Sequence, residues 1–324
     1  MRPSVLVARQ VFPAIVTRLR EHFEVEANNE PVDWSHAELM HRLQGKQGVF
    51  VAATEKIDAA LVAGCPELRA VCSMAVGYNN IDVAACAARG IVVTNAPDVL
   101  TETTADFGFA LMMATARRIA ESEHFLRAGR WKRWSVDFFC GADVHGATLG
   151  ILGMGRIGQA IARRGALGFG MRVIYHNRSR LAPDVEAPLS ACWVDKDVLL
   201  AQADHLIVVV PYSAASHHAI GSRELALMKP TATLINIARG GVVDDAALAQ
   251  ALAERRIAAA GLDVFEGEPS VHPALLAVPN VVLTPHIASA TEATRRAMAQ
   301  LAVDNLIAVL GGRAPLTPVA APAS

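Results

Sequence analysis

Several features of nucleic-acid-binding and membrane proteins are missing from this sequence of 324 residues. The 30 basic and 31 acidic side chains give a formal net charge of −1, so no overall positive field attracts nucleic acid or an anionic membrane. No apolar run reaches the ~18 residues that a membrane span needs, and the N-terminal residues contain no signal-peptide core. We therefore expect neither a nucleic-acid partner nor a membrane partner.

Cysteine is scarce, and its spacing argues against two further kinds of site. The cysteines are an odd number and form no CxxC pair, which disfavours both a disulfide framework and a zinc site. We expect reduced thiols, a cytoplasmic protein and no metal in the functional site. The five cysteines are residues 65, 72, 86, 140 and 192.

Hydrophobic residues make up 52 % of the chain and charged residues 19 %, as in a well-packed protein long enough for two domains. Short apolar runs alternate with helical stretches, the pattern of βαβ units in a parallel sheet. Two series of such runs, separated by residues 99–147, predict two doubly wound α/β domains. The predicted strands are residues 4–8, 24–27, 48–52, 70–74 and 91–95, then 148–152, 172–176, 205–210, 232–237, 258–265 and 280–285. The predicted helices include residues 104–129, 155–168, 244–255 and 291–311, and the Pro- and Ala-rich tail 311–324 is expected to fray.

A glycine-rich segment, TLGILGMGRIGQAIARRG, opens the second series. In it an apolar strand runs into a GxGxxG motif and then into a helix-forming stretch. In a dinucleotide-binding loop, Gly153 permits the tight turn, Gly155 lets the backbone approach a pyrophosphate, and Gly158 lets the helix pack closely on the strand. Arg156 and Ile157 lie at the helix N-terminus, where backbone N–H groups and the helix dipole attract phosphate. The segment therefore predicts a dinucleotide site.

The next predicted strand ends in VIYHNRSR, where a dinucleotide-binding domain usually carries an acid that binds the ribose 2′-hydroxyl. This segment has no carboxylate and offers Asn177, Arg178 and Ser179 instead. Arginine pairs with phosphate and serine donates to it, so the segment favours NADP(H) over NAD(H), with NAD(H) still possible. The alternative is a solvated basic turn, since arginine is common on protein surfaces.

Three polar side chains follow successive strands of the second series. Arg239 follows LINIA, Glu268 follows GLDVF, and His286 follows NVVLTP. Ligands of open parallel sheets bind outside the carboxyl ends of the strands. The three residues are therefore predicted to form an acid–base site, although any one of them alone could be structural.

The chain resembles the D-isomer-specific 2-hydroxyacid dehydrogenases, and within that family most resembles the glyoxylate/hydroxypyruvate and hydroxyphenylpyruvate reductases. The matching motifs are VGYNNID, NAPDVLTETTADFGFALMMA, GILGMGRIGQAIA, NIARGGVVDDAAL, GLDVFEGEP and TPHIASAT. The resemblance implies two flavodoxin- or Rossmann-like domains with a cleft between them. A substrate-binding domain would comprise residues 1–98 and 288–324, and an inserted dinucleotide-binding domain residues 99–287. The resemblance also implies a homodimer in which residues 99–147 form much of the contact.

The resemblance implies catalytic roles for three residues. Arg239 matches the arginine that holds the substrate carboxylate and polarises its carbonyl, His286 matches the general acid–base, and Glu268 matches its carboxylate partner. The chemistry agrees, because reduction of a 2-keto acid needs a proton at the carbonyl oxygen. An imidazolium can supply it near neutral pH, since free histidine titrates at about 6.5, and a nearby carboxylate favours the charged ring.

Other matches fall at binding positions. Asp263 matches the residue that binds the nicotinamide amide, and Thr104 matches a position close to the nicotinamide. Val76 and Gly77 match the turn whose backbone N–H groups hold the substrate carboxylate.

The chain differs from some members of the family at one position that bears on the choice of substrate. Phosphoglycerate dehydrogenases of the family carry an arginine where this chain has Ala52, beside Ala53, which disfavours a phosphorylated substrate. We predict NADPH-dependent reduction of small 2-keto acids, such as glyoxylate and hydroxypyruvate, to D-2-hydroxy acids. Two alternatives stay open: larger keto acids such as 2-ketogluconate or hydroxyphenylpyruvate, and a corepressor-like protein that senses dinucleotides.

Overall fold

The computed structural model describes residues 2–320. The chain divides into two units, one formed by Met1–Leu100 with Ala290–Ser324 and the other by Thr101–Ser289. Each unit contains one parallel sheet with helices packed against it, which confirms the predicted α/β class. Within residues 2–320, no helix combines the length and the apolar composition that crossing a lipid bilayer requires.

The first unit is built on a five-stranded parallel sheet in the order β2-β1-β3-β4-β5. Its strands are β1 (Ser4–Val7), β2 (Glu24–Ala27), β3 (Gly48–Val51), β4 (Ala70–Ser73) and β5 (Val92–Thr94). Its helices, numbered in chain order, are α1 (Pro13–His22), α2 (His36–Arg42), α3 (Ala59–Gly64), α4 (Val83–Ala88) and α13 (Glu292–Leu310).

The local sequence explains how several of these helices begin and pack. Four of them start at a residue whose side chain accepts a hydrogen bond from a backbone N–H of the first turn, as N-cap residues do. A Cβ atom at Gly48 would lie 2.9 Å from both Leu306 and Leu310, so glycine at this position lets α13 lie directly on β3. The four capping residues are Ser35, Asp58, Asp82 and Thr291.

The tail behind α13 is ordered over its described part. Asn305, which is fully buried, accepts hydrogen bonds from the backbone N–H groups of Leu316 and Thr317 at 3.0 and 3.1 Å. The N–H of Val319 then donates to the carbonyl of Val93 on β5 at 2.9 Å. The prediction of a frayed tail is therefore wrong up to residue 320, because a buried amide anchors it; residues 321–324 lie outside the described residues.

The second unit is built on a seven-stranded parallel sheet in the order β12-β11-β10-β9-β6-β7-β8. Its strands are β6 (Thr148–Leu152), β7 (Arg172–His176), β8 (Cys192–Trp193), β9 (His205–Val208), β10 (Thr233–Asn236), β11 (Ala259–Leu262) and β12 (Val281–Leu283). Its α-helices are α5 (Thr101–Ala116), α6 (Ile119–Arg127), α7 (Arg156–Arg163), α8 (Pro183–Glu186), α9 (Lys196–Gln202), α10 (Ser222–Leu227), α11 (Asp245–Ala253) and α12 (Pro273–Ala277).

Two features of this unit differ from the prediction. The helix expected over residues 104–129 is split into α5 and α6, because Arg118 adopts the left-handed conformation with φ 54°. At the same point the carbonyl of Ala116 accepts a hydrogen bond from the N–H of Ala142 instead of continuing the helix. The strand β8 has two residues, too few for a sequence pattern to reveal.

The strand order of the second sheet reverses at β6, which has β9 on one side and β7 on the other. Ligands of open α/β sheets bind outside the carboxyl ends of the strands at such a switch point. The glycine-rich segment follows β6 directly, so the topology places it at the position expected for a ligand.

Candidate active site

The three glycines behind β6 have distinct geometries. Gly153 has a φ of 105°, and a Cβ on it would lie 2.8 Å from the backbone nitrogen of Val210. A Cβ on Gly158 would lie 2.3 Å from the carbonyl oxygen of Gly153, so the helix and the loop touch there. A Cβ on Gly155, by contrast, would meet nothing within 4 Å. Gly155 is the N-cap of α7, so space for a phosphate is open beside the helix N-terminus, where Arg156 and Ile157 follow.

The polar residues that follow β7 have different surroundings: Asn177 is hydrogen-bonded within the protein, and Arg178 and Ser179 are exposed. The Asn177 side chain accepts a hydrogen bond from the Met154 N–H at 2.7 Å, and the backbone carbonyl of Asn177 accepts one from the Trp193 indole at 3.0 Å. Asn177 therefore fixes the glycine-rich loop. Arg178 and Ser179 are exposed, and within residues 2–320 no protein group pairs with either side chain.

Arg180, the second arginine of this segment, forms a salt bridge with a buried glutamate. Arg180 lies 2.7 Å from Glu186, whose side chain is 6 % exposed and also accepts a hydrogen bond from the Tyr175 hydroxyl at 2.6 Å. Arg178 and Arg180 therefore differ: Arg180 is paired with a buried glutamate, and Arg178 is exposed. The sequence pattern does not reveal Glu186, because it lies in α8 and its role depends on tertiary packing.

Glu268 and His286 form a hydrogen-bonded pair. Nδ1 of His286 lies 2.7 Å from Oε2 of Glu268, while Oε1 of Glu268 accepts a hydrogen bond from the Phe265 N–H at 2.9 Å. Burial raises the pKa of Glu268, but the hydrogen bonds from His286 and Phe265 and the charges of His286 and Arg239 outweigh burial, and the pKa lies below its ordinary value. An ionised carboxylate in this position stabilises the protonated form of the imidazole.

Arg239 belongs to the same cluster. It follows β10 and is partly buried, and one of its N–H groups donates to the Ala238 carbonyl at 2.8 Å. Burial lowers the pKa of its guanidinium, and the charge of Glu268 opposes this effect. A Cβ on Gly240 would lie 1.7 Å from the Phe265 carbonyl oxygen, so the loop that carries Arg239 lies directly on the segment that leads to Glu268.

Asp263 holds the segment that carries His286. Its carboxylate is fully buried and accepts three hydrogen bonds, from the Thr284 hydroxyl at 2.7 Å and from the Ile287 and Ala288 N–H groups at 2.8 Å each. Burial raises the pKa of Asp263, and these hydrogen bonds reverse only part of that shift. His286 itself has a φ of 55°, a strained conformation for a non-glycine residue, which the contacts on either side keep in place. The sequence pattern does not reveal this role, because it depends on a contact between the segments that follow two different strands.

Thr104 is buried in α5 of the same unit. The described hydrogen bonds join it to neither Arg239 nor His286. The structure therefore brings together Arg239, Asp263, Glu268 and His286, and leaves Thr104 apart from their network.

Val76 and Gly77 follow β4 in the first unit. Asn95 donates its side-chain amide to the Val76 carbonyl at 2.7 Å and thereby fixes the turn. Within residues 2–320 neither the Val76 nor the Gly77 N–H donates a hydrogen bond to the protein. A pair of such N–H groups in a turn is a site where an anion can bind.

The positive charge of Arg9, which lies near Ala52, is balanced by two carboxylates. The Ala52 N–H donates to Glu55 at 2.5 Å, and the other carboxylate oxygen of Glu55 accepts a hydrogen bond from Arg9 at 2.9 Å. Arg9 also pairs with Asp33 at 2.9 Å and donates to the Thr54 hydroxyl. Ala52 and Ala53 therefore lie beside an arginine whose charge is balanced within the first unit.

The sequence matches one family model. A model of the D-isomer specific 2-hydroxyacid dehydrogenase, NAD binding domain, matches residues 109–288, more than half of the chain. The chain is also 47 % identical over 321 residues to the glyoxylate reductase of Thermococcus onnurineus, an alignment that covers 98 % of this chain and 96 % of that protein.

Two solved structures are similar along their whole length. The TT0316 protein of Thermus thermophilus is 42 % identical with a TM-score of 0.90, over 98 % of this chain and 100 % of that chain. The NADPH-dependent glyoxylate/hydroxypyruvate reductase of Sinorhizobium meliloti, solved with NADP and malonate, is 40 % identical with a TM-score of 0.87, over 99 % and 97 % of the two chains.

Proposed function

The chain belongs to the D-isomer-specific 2-hydroxyacid dehydrogenase family of NAD(P)-dependent oxidoreductases, and we propose that it reduces small 2-keto acids with NADPH. The substrates we expect first are glyoxylate and hydroxypyruvate, and the products are the D-2-hydroxy acids where a chiral centre forms. The observation that carries the proposal is the 2.7 Å contact between His286 and Glu268 beside the partly buried Arg239.

Each residue of this cluster has one task in the proposed reaction. The dinucleotide, when bound, supplies a hydride to the carbonyl carbon. His286 delivers a proton to the carbonyl oxygen, so the C=O bond becomes a C–OH bond and the neutral imidazole remains. Glu268 stabilises the imidazolium before the transfer and fixes the ring through Nδ1. Arg239 binds the substrate carboxylate and polarises the carbonyl.

The cofactor residues support NADP(H) over NAD(H). Arg178 and Ser179 are exposed and available for a 2′-phosphate, and no carboxylate lies at that position to bind a free 2′-hydroxyl. Gly153, Gly155 and Gly158 give the loop that would accept the pyrophosphate. The Sinorhizobium meliloti relative is described as NADPH-dependent. For Asp263 we propose a contact with the nicotinamide amide in addition to its structural hydrogen bonds, and we place Thr104 near the nicotinamide as a weaker assignment.

The first unit supports an unphosphorylated substrate. Val76 and Gly77 offer two backbone N–H groups for a carboxylate, and the Ala52–Glu55 loop offers no unbalanced cation, since Glu55 and Asp33 neutralise Arg9. A phosphate placed there would lose its hydration without gaining a partner. We therefore propose that the first unit contributes to substrate binding, in addition to Arg239, and that the second unit binds the dinucleotide.

We also propose that the enzyme is a homodimer in a reducing compartment such as the cytoplasm. The segment between α5 and β6 exposes several large apolar side chains, which is uncommon on the surface of a monomer. All five cysteines are free, as is usual in the cytoplasm. The exposed apolar residues of this segment are Ile119, Leu126, Trp131, Trp134, Val136 and Phe138.

The proposal is tested by following NADPH oxidation after glyoxylate or hydroxypyruvate is added to the purified protein. We expect turnover by the wild type, D-glycerate as the product from hydroxypyruvate, and a loss of turnover in His286→Ala. An L product would show that the hydride reaches the other face of the carbonyl, and an unaffected His286→Ala variant would remove His286 from the reaction.

A further inference from the structure

Two adjacent histidines and a glutamate meet on the second unit, outside the cluster described above. His217 and His218 lie in the segment behind β9, and Glu266 lies in the segment behind β11. One ring nitrogen of each histidine and one carboxylate oxygen of Glu266 all lie within 4.8 Å of one another. We propose that these three side chains bind a divalent transition metal ion, with zinc the best match.

The chemistry of the three side chains fits zinc. Two imidazoles and one carboxylate are a ligand set that zinc uses when it keeps a further position open for water. Nε2 of His218 lies 3.0 Å from Oε2 of Glu266. Two ligands on one tetrahedral zinc ion, each at ~2.0 Å from the metal, are roughly 3.3 Å apart, so this pair already has nearly the required separation. The rings of His217 and His218 are stacked, with centroids 3.9 Å apart.

Groups around the histidines have the arrangement expected of metal ligands. A histidine that binds a metal usually has its second ring nitrogen held by a hydroxyl, a carbonyl or a carboxylate. Nδ1 of His217 lies 3.2 Å from the Tyr212 hydroxyl, within hydrogen-bond distance. Nδ1 of His218 lies 3.7 Å from a carboxylate oxygen of Asp244, which is too far for a hydrogen bond but close enough for the charge of Asp244 to act on the ring. Asp244 is itself fixed, because it caps α11. Its charge adds to that of Glu266 and makes the site attractive to a cation.

The backbone that carries the ligands is held in place. The His218 N–H donates to the Gly241 carbonyl at 2.7 Å, and the Glu266 N–H donates to Asp245 at 3.0 Å. Because both segments are hydrogen-bonded to residues at or shortly before the start of α11, little conformational entropy remains to be lost on binding. A bound ion would join two segments that the protein otherwise links through single hydrogen bonds, and would therefore raise the thermal stability.

Zinc binding to the chelator-treated protein, with any affinity tag removed, tests the inference. Isothermal titration should show about one equivalent of Zn²⁺ per chain, and Co²⁺ should give the absorption bands of a tetrahedral ion. His217→Ala and Glu266→Gln each remove a ligand and should weaken Zn²⁺ binding by about 100-fold or more, while Tyr212→Phe should weaken it by roughly 10-fold through loss of the outer hydrogen bond. The matched control is His145→Ala, which removes an exposed histidine elsewhere in the same unit and should bind as the wild type does.

The melting temperature of each metal-free variant shows whether it is folded, and one equivalent of Zn²⁺ should raise that temperature in the wild type and in His145→Ala. Wild-type affinity in His217→Ala would overturn the proposal. So would the absence of a one-equivalent binding event in the wild type. Neither result would bear on the reduction of keto acids, because none of these residues belongs to the His286 cluster.

Discussion

Nδ1 of His286 lies 2.7 Å from Oε2 of Glu268, so the ring and the carboxylate form one hydrogen-bonded pair. The pKa of Glu268 is held below its ordinary value, against the effect of burial, by the hydrogen bonds from His286 and Phe265. The carboxylate therefore stays ionised to a lower pH than an ordinary glutamate does. Its negative charge therefore lies beside the imidazole that donates the proton in the proposed reaction.

This pair predicts the pH dependence of reduction. The rate of reduction should fall on the alkaline side once the proton donor is deprotonated, and titration of Glu268 should cause no loss of rate near neutral pH, because its pKa lies below its ordinary value. Glu268→Gln removes the negative charge and should move the alkaline limb of kcat/KM to lower pH by about one unit or more. An alkaline limb that stays in place would exclude Glu268 from this role. His286→Ala should lose about 10²- to 10⁴-fold in kcat.

The contacts of Asp263 predict a second effect on the same histidine. Asp263→Asn cannot accept all three hydrogen bonds, so it should destabilise the protein by about 1–3 kcal/mol and, by displacing His286, lower kcat by roughly 10- to 100-fold. Thr284→Val removes one of the three hydrogen bonds and should cause a smaller change in both. Thermal denaturation and kcat are measured together with the Kd for NADPH. If Asp263→Asn weakens NADPH binding and leaves kcat unchanged, Asp263 serves the nicotinamide and does not position His286.

Cofactor preference should depend on Arg178 and not on Arg180. Arg178→Ala removes a charge-assisted contact with the 2′-phosphate and should weaken NADPH binding by about 1.5–3 kcal/mol, or roughly 10- to 150-fold, with little change for NADH. Arg180→Ala is the matched control: it leaves the buried Glu186 without its cation, so it should lower the melting temperature and leave the ratio of the two Kd values unchanged. Fluorescence titration of the wild type and both variants with each nucleotide gives the Kd values. Equal losses for NADPH and NADH in Arg178→Ala would refute the assignment.

Substitutions at two glycines should distinguish a loss of dinucleotide binding from a loss of stability. A Cβ at Gly155 would meet no protein atom within 4 Å, so Gly155→Ala should fold normally and lose affinity for both dinucleotides, because the methyl group occupies the space of the pyrophosphate. A Cβ at Gly240 would lie 1.7 Å from the Phe265 carbonyl oxygen, so Gly240→Ala should be unstable even without ligand. Melting temperatures and nucleotide titrations of the two variants check this. Normal affinity in a folded Gly155→Ala variant would place the pyrophosphate elsewhere.

Some features of the fold and of the candidate site can be predicted from the sequence, and others cannot. The strand-end positions of Arg239, Glu268 and His286 follow from the apolar runs before them, because parallel strands end at one edge of a sheet. The roles of Asp263 and Glu186 depend on distances between elements far apart in sequence, for which a periodic pattern holds no information. The same applies to the ordered tail, because its anchor Asn305 lies in the C-terminal half of α13, and its hydrogen bonds join it to residues beyond that helix.

The central claim is that this chain reduces small, unphosphorylated 2-keto acids with NADPH. The most direct test is kcat/KM with NADPH for glyoxylate, hydroxypyruvate, phosphohydroxypyruvate, 2-ketogluconate and hydroxyphenylpyruvate. We expect the highest values for glyoxylate and hydroxypyruvate, and a lower value for phosphohydroxypyruvate, because Arg9 is neutralised by Glu55 and Asp33. A highest value for phosphohydroxypyruvate, or turnover of none of the five, would contradict the account.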